Sequence, residues 1–488
     1  MSTTIQKLDS IGEKITDYLS PLTIKEVRQS LKGKLFLSSF LLGIVACLIP
    51  TIGFAASGSS VLGPSAFMTY SVIMFIGICV IFPYLAFSSL HEDRLNSTFE
   101  LVGITNLNSY QLVWGKWQSS LVQVSLFVSS ILPFLTYSYF LRGLSILSIL
   151  GIIVVAFFLS QIVNLLAILA ASLSHLKSNR LTFYFIFVFF LAGGYSISIG
   201  VHASIAAMRG GVADFLNNFW SNSDRNSLLI AVFIIEWFLY ELAAGQLAPA
   251  TANRSSRCRY SLFALFSLIL IWICVFLVQS THGVSLYELS YFNYVSVAIL
   301  ICAVFIMGES DELSQVLFKK YTNSRGASSA IYNIFFIPGR SSGYFFLMGI
   351  LFSYLLVYIA FGSNMSFLLY FSNAVFWLSL LYLINILPYN KYLTAPLRRT
   401  ATIAIVAVLL FVPTIIFLFL DNQAGAILNY FNPSFFKSNS HLSEQTLLIG
   451  NAISAVVLFL LCFIRIRTSK KEIQTVRKFD AGERGATQ

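Results

Sequence analysis

The chain has 488 residues, of which 57% are hydrophobic and only 10% charged, and it includes 46 Phe. A water-soluble domain usually carries about 25% charged residues, so composition excludes an ordinary soluble enzyme and points to a bilayer. The net charge of +11 does not signal nucleic acid; it follows from an uneven placement of basic residues around apolar runs, with some attraction to anionic headgroups.

The first apolar run begins only at residue 35, which does not fit a secretory leader. Before it, Ile5, Leu8, Ile11, Ile15, Tyr18 and Leu19 recur at helical spacing, with Lys7, Asp9, Glu13, Lys14 and Asp17 between them. That pattern reads as an amphipathic helix over 5–19. Ser20-Pro21 opens a second helix, with Ile24, Val27 and Leu31 on one face and Lys25, Arg28, Lys32 and Lys34 elsewhere. Residues 1–34 are expected to lie in the headgroup plane and feed the first span. Two roles stay open: a surface anchor, or an element that leans on a cytosolic partner and relays its movement.

A span needs about 20 apolar residues. Runs of that kind fall near 35–56, 67–90, 118–141, 144–174, 181–207, 227–248, 259–280, 290–308, 343–362, 366–388, 400–420 and 446–466. The expected fold is an all-α integral membrane protein with about twelve transmembrane helices and both termini cytosolic. It divides into six spans over 35–250, six over 251–466, and a basic cytosolic tail over 467–488. Pro50, Pro83, Pro133 and Pro413 fall inside spans, which membrane helices tolerate when neighbours satisfy the freed carbonyls. Lysine and arginine on short loops stay where they need not cross the bilayer. This topology leaves only Arg142, Arg209, Arg225 and Lys437 outside, four of 31 basic residues.

The connection between spans two and three, 91–117, carries the most information. Ser97 and Glu100 have capping-box spacing, and Gly103 can end the short helix they begin. Asn108 and Gln111 repeat the pattern and start the helix that becomes span three. Phe99, Leu101, Val102 and Ile104 give the short helix an apolar surface suited to a cleft in a soluble partner. A capped helix in any long transporter loop is the plainer reading.

Here the residues resemble a known family. Glu92-Asp-Arg, then Ser97-Thr-Phe-Glu-Leu, Ile104-Thr and Gly115-Lys116 are similar to the permease subunits of type-2 ATP-binding cassette exporters. Those proteins carry an acidic-basic cluster, a Gly-Thr-hydrophobic-Glu-Leu core, a Thr-Pro turn and a Gly-Lys pair here. Pro21-Leu-Thr-Ile-Lys-Glu-Val-Arg-Gln29 resembles the family's opening helix. Ser97 stands where Gly is usual, and Asn106 where Pro is usual. The resemblance spans roughly residues 20–250 and does not reach the second six spans. It implies that Ser97, Thr98, Phe99, Glu100, Leu101, Val102 and Ile104 form an ATPase-coupling helix, with Lys25, Glu26 and Arg28 on an N-terminal interface helix. It also implies a multi-pass protein of the bacterial cytoplasmic membrane.

No GxxxxGK[ST] phosphate loop occurs in the sequence, so ATP would be bound by a separate cytosolic ATPase and no cofactor by this chain. Besides that ATPase, the expected partner is the bilayer, with no nucleic acid; the twelve spans either form a complete permeation unit or pair with a second permease copy. Five of the six cysteines lie in apolar runs, none in a CxxC pair, which favours neither a zinc site nor a disulfide framework. The five histidines do not cluster, and no catalytic residues or metal ligands are expected.

Glu236 and Glu241 lie inside span six, where an ionised carboxylate is costly and should face the bundle interior or a watery path. Glu236, with Gln161 and Asn164 of span four, is a candidate translocation pathway. Interhelical hydrogen bonding is the competing reading, and the stronger one for Glu241, Gln161, Asn164 and Asn385. The connection 309–342 opens with Glu309-Ser-Asp-Glu-Leu and reaches a turn at Pro338-Gly339; it reads as a solvated loop or a second partner contact. The function expected is an exporter's permease subunit driven by a separate ATPase. Its competitors are a twelve-span secondary carrier and a membrane-embedded lipid-processing enzyme.

Overall fold

The computed structural model describes residues 21–56, 63–95, 108–141, 146–173, 224–248, 255–279, 298–300, 302–307, 335–361, 365–386 and 452–464. Among these every regular element is helical and no strand occurs. Six helices are long and apolar enough to cross a membrane: Lys34–Ala56, Gly63–Asp93, Ser109–Phe140, Ile149–Leu173, Ser256–Val275 and Arg340–Ala360. The expected helix 5–19, coupling segment 97–104, fifth span and eleventh span lie outside the described residues, as do most of the 309–342 connection and the basic tail.

The chain divides into two compact units, Met1–Pro249 with Tyr260–Leu265, and Ala250–Arg259 with Phe266–Gln488. The first unit opens with α1 (Pro21–Leu31) and α2 (Lys34–Ala56). Then come α3 (Gly63–Ile76), a π-helical turn (Gly77–Ile81) and α4 (Phe82–Leu95), followed by α5 (Ser109–Phe140), α6 (Ile146–Leu173) and α7 (Asp224–Leu247). The π turn has a covalent reason. Pro83 has no N–H to return to the Cys79 carbonyl, and the Phe82 N–H reaches back to Gly77 O instead, which widens the helix by one residue. The start of α5 is local chemistry: Asn108 is extended (φ −78, ψ 145) and its N–H donates to Gln111 Oε1 at 3.1 Å, the back-reaching arm of a capping box.

Phe127 of α5 organises this unit's core. Its ring lies 5.0 Å from that of Phe82 and is buried with Met74, Phe75, Ile78 and Val124. A Cβ on Gly43 of α2 would fall 2.5 Å from the ring, and one on Gly77 would also collide with it. Glycine at both positions lets two backbones close on one aromatic plane. Pro50 is carried within α2, where Thr51 Oγ1 donates to Cys47 O at 2.6 Å and meets the Tyr70 hydroxyl at 2.7 Å. The opposite face of α2 is apolar and open, with Leu42, Ile49 and Ile52 exposed, as expected of a helix that lipid rather than protein covers.

In the second unit, α8 (Ser256–Gln279), α9 (Arg340–Phe361) and α10 (Met365–Ile386) are the main helices. Only part of α8 belongs here, residues 260–265 falling in the first unit. The expected turn at Pro338-Gly339 is present, with Gly339 at φ 149, a backbone that side-chain-bearing residues avoid. Arg259, fully buried at the start of α8, holds that turn. Its Nη1 donates to Phe335 O (2.8 Å), Ile337 O (2.7 Å) and Ser342 Oγ (3.0 Å), and Nη2 to Gly339 O (3.0 Å).

Candidate functional site

Three helices of the first unit meet where α1 runs beside the beginning of α5 and the end of α4. The spacing of α1 would put Ile24, Val27 and Leu31 inward, yet these are only partly buried, and the two residues buried most completely are Thr23 and Glu26. Thr23 Oγ1 donates to Gln118 Oε1 of α5 at 2.9 Å. Ser119 Oγ bonds Ser30 Oγ at 2.8 Å and reaches Glu26 O at 3.4 Å. Lys25, Arg28, Gln29 and Lys32 point outward. The helix is thus amphipathic in an unexpected sense: a hydroxyl and carboxylate face lies against α5, and a cationic face is open.

Lys116 sits at the centre of the contact. Its side chain is 4% exposed, and its ammonium lies 2.6 Å from Glu26 Oε2 of α1 and in contact with Asp93 Oδ2 of α4. It also donates to Ser89 Oγ at 2.8 Å. An ammonium has three N–H donors, and here they meet acceptors on α1, at the end of α4 and, one turn back along α4, the hydroxyl and carbonyl oxygens of Ser89. Two carboxylates face one cation, so the site carries a formal net negative charge, with Asp93 partly open to the outside. Such a centre brings helices together more through the cost of undoing it than through net stability when formed.

The other side of α5 is tied to α7. Tyr240 OH donates to Tyr110 O at 3.0 Å, and its ring lies 6.0 Å from Trp114 and 6.4 Å from Trp117. The start of α5 is therefore gripped twice, ionically towards α1 and α4 and by aromatic packing towards α7. Residues 96–107 link α4 to α5 in the sequence.

Of the residues picked out by sequence, Glu26 belongs to the buried centre and Lys25 and Arg28 to the open face of α1. Ser97, Thr98, Phe99, Glu100, Leu101, Val102 and Ile104 lie outside the described residues. Gln161, Asn164, Glu236 and Glu241 are all buried on α6 and α7, which pack together. Asn385 donates from Nδ2 to Leu381 O on its own helix at 2.9 Å, and its carbonyl accepts Arg340 Nη1 at 2.9 Å. Sequence reasoning missed Arg259, which lies in no motif, and Ser89. Among the described residues no group of His, Cys, Asp and Glu could hold a metal ion. Comparison with known protein families, curated proteins and solved structures finds no match to this chain.

Proposed function

We propose that the chain is the permease subunit of an ATP-binding cassette exporter, powered by a separate cytosolic ATPase in the bacterial cytoplasmic membrane. In this reading twelve spans place both termini and the 91–117 connection in the cytosol. One observation carries the proposal. Glu26, Asp93 and Lys116 come from three of the separate stretches that resemble such permeases, and they meet at the Lys116 ammonium. Residues that form a single charge centre give those stretches a shared physical purpose, which chance resemblance does not require.

The mechanism follows from the connections. Ser97–Ile104 docks in the ATPase by its apolar side chains Phe99, Leu101, Val102 and Ile104. It follows α4, which ends at Leu95, and precedes α5, which begins at Ser109. A displacement of the docked segment therefore reaches Asp93 and Lys116 together, and through Lys116 it reaches Glu26 and α1. The α1 cations Lys25, Arg28 and Lys32 meet the ATPase surface or anionic headgroups. ATP is bound on the partner subunit.

The test is Phe99→Asp in the full-length chain. The variant is expected to insert normally, to lose co-purification with a phosphate-loop ATPase and to lose ATP-dependent transport. Retention of both would remove the proposal.

A further inference from the structure

The seam between α6 and α7 holds a set of buried polar atoms that packing does not explain. The two helices run in the same direction. α5 and α6 pack together and few residues separate the end of one from the start of the next, so α6 finishes beside the start of α5. Tyr240, near the end of α7, touches Tyr110 and Trp114 at that same start. Phe158 of α6 meets Phe233 of α7 with ring centroids 5.5 Å apart, which fixes the register. Three residues further along each helix, about 4.5 Å of rise, come Gln161 and Glu236 at one depth. From Phe158, Gln161, Leu165, Ile168 and Ser172 repeat at three- and four-residue spacing, and all four are at most 3% exposed. Asn164 is fully buried one residue before Leu165, and Glu241 lies five residues beyond Glu236.

Glu236 Oε1, Glu241 Oε2, Gln161 Oε1 and both side-chain atoms of Asn164 have no hydrogen-bond partner among the described residues. Trp237 Nε1 reaches the other Glu241 oxygen at 3.4 Å, and Gln161 Nε2 donates to Ser160 Oγ at 2.9 Å. Four of the five orphaned atoms are acceptor oxygens, two of them on carboxylates. A buried polar atom without a partner costs about 1–3 kcal/mol, and a mid-span carboxylate without a counter-charge costs more. The missing complement is one positive charge carrying several N–H donors.

We infer that Glu236 and Gln161, with Asn164 one turn further along α6, bind a protonated amine, and that the transported molecule bears one. The inference rests on the permease reading for the word transported, while the binding itself does not. An ammonium group donates to the orphaned oxygens and neutralises Glu236. Asn164 Nδ2, the one orphaned donor, takes an oxygen on the same molecule.

The experiment uses the full-length chain in lipid nanodiscs and radiolabelled 2-phenylethylamine. Two competitors distinguish charge from donation: tetraphenylphosphonium, a cation without N–H, and neutral 2-phenylethanol. Saturable amine binding is expected, displaced by neither competitor and weakened at least tenfold in Glu236→Gln. Gln161→Met, an apolar replacement of similar length that relieves burial of an amide, should fold and weaken binding several-fold. Absence of saturable binding, displacement by tetraphenylphosphonium, or unchanged affinity in both variants would overturn the site. Should the amine bind as described and no ATP-dependent flux of it be found with the partner ATPase, the site stands and the permease reading fails.

Discussion

Lys116 lies between two carboxylates with almost no access to water, and removing it takes from them the cation they share. Breaking a buried pair from one side typically costs about 3–5 kcal/mol, so Lys116→Met should lower the melting temperature of the detergent-solubilised chain clearly. Neutralising all partners together, in Lys116→Met with Glu26→Gln and Asp93→Asn, should recover most of that loss while transport stays impaired. Recovery of transport together with stability would reduce the centre to packing. All three residues stood in stretches noticed along the chain, but their meeting was not legible there. Glu26 and Lys116 are ninety residues apart, and only the return of α5 alongside α1 brings them together. The Asn108–Gln111 start of α5 was legible because its hydrogen bond spans three residues and needs no tertiary context.

At the level of helices, close approach depends on what is left out. Phe127→Ala removes the ring that α2, α4 and α5 share, and large-to-small changes at such positions cost about 3–5 kcal/mol. Gly43→Ala should instead force the ring aside, at about 1–3 kcal/mol for overpacking. Combined with Phe127→Leu it should be milder than alone, which thermal unfolding of the four variants would show. Arg259 plays the matching part in the second unit. Arg259→Ala takes the guanidinium from Phe335 O, Ile337 O and Gly339 O; Ile337 O and Gly339 O keep Ser342 Oγ, and Gly339 O also the Gly343 N–H, so the loss falls mainly on Phe335 O, at about 1–3 kcal/mol. Arg259→Lys should restore only part of this, because an ammonium lacks the fork that spans separate acceptors; limited proteolysis after 335 would report the difference. Pro338-Gly339 announced a turn in the sequence. Its arginine clamp was hidden because about eighty residues separate the two, and an arginine near a span end ordinarily reads as a topology signal. Pro83 was legible only as one of four prolines inside spans, whereas the π turn it provokes needed the backbone.

Across the whole molecule, hydropathy made the helical membrane character plain, since about 20 apolar residues in a row admit few other structures. The α6–α7 polar layer was visible as separate residues, and its depth alignment needed the Phe158–Phe233 contact. Sidedness is the global property on which the functional reading depends. Asn108 is exposed at the start of α5, so Asn108→Cys should react with a membrane-impermeant maleimide only after cells are opened. Labelling in intact cells would put the connection on the far side of the membrane from any ATPase. The most direct measurement goes to the contact itself, with a photo-crosslinking amino acid at Phe99 in the full-length chain in living cells. Irradiation should join it to a protein that carries a phosphate-loop nucleotide site. Adducts with lipid or with an extracytoplasmic protein, and none with such an ATPase, would contradict the account.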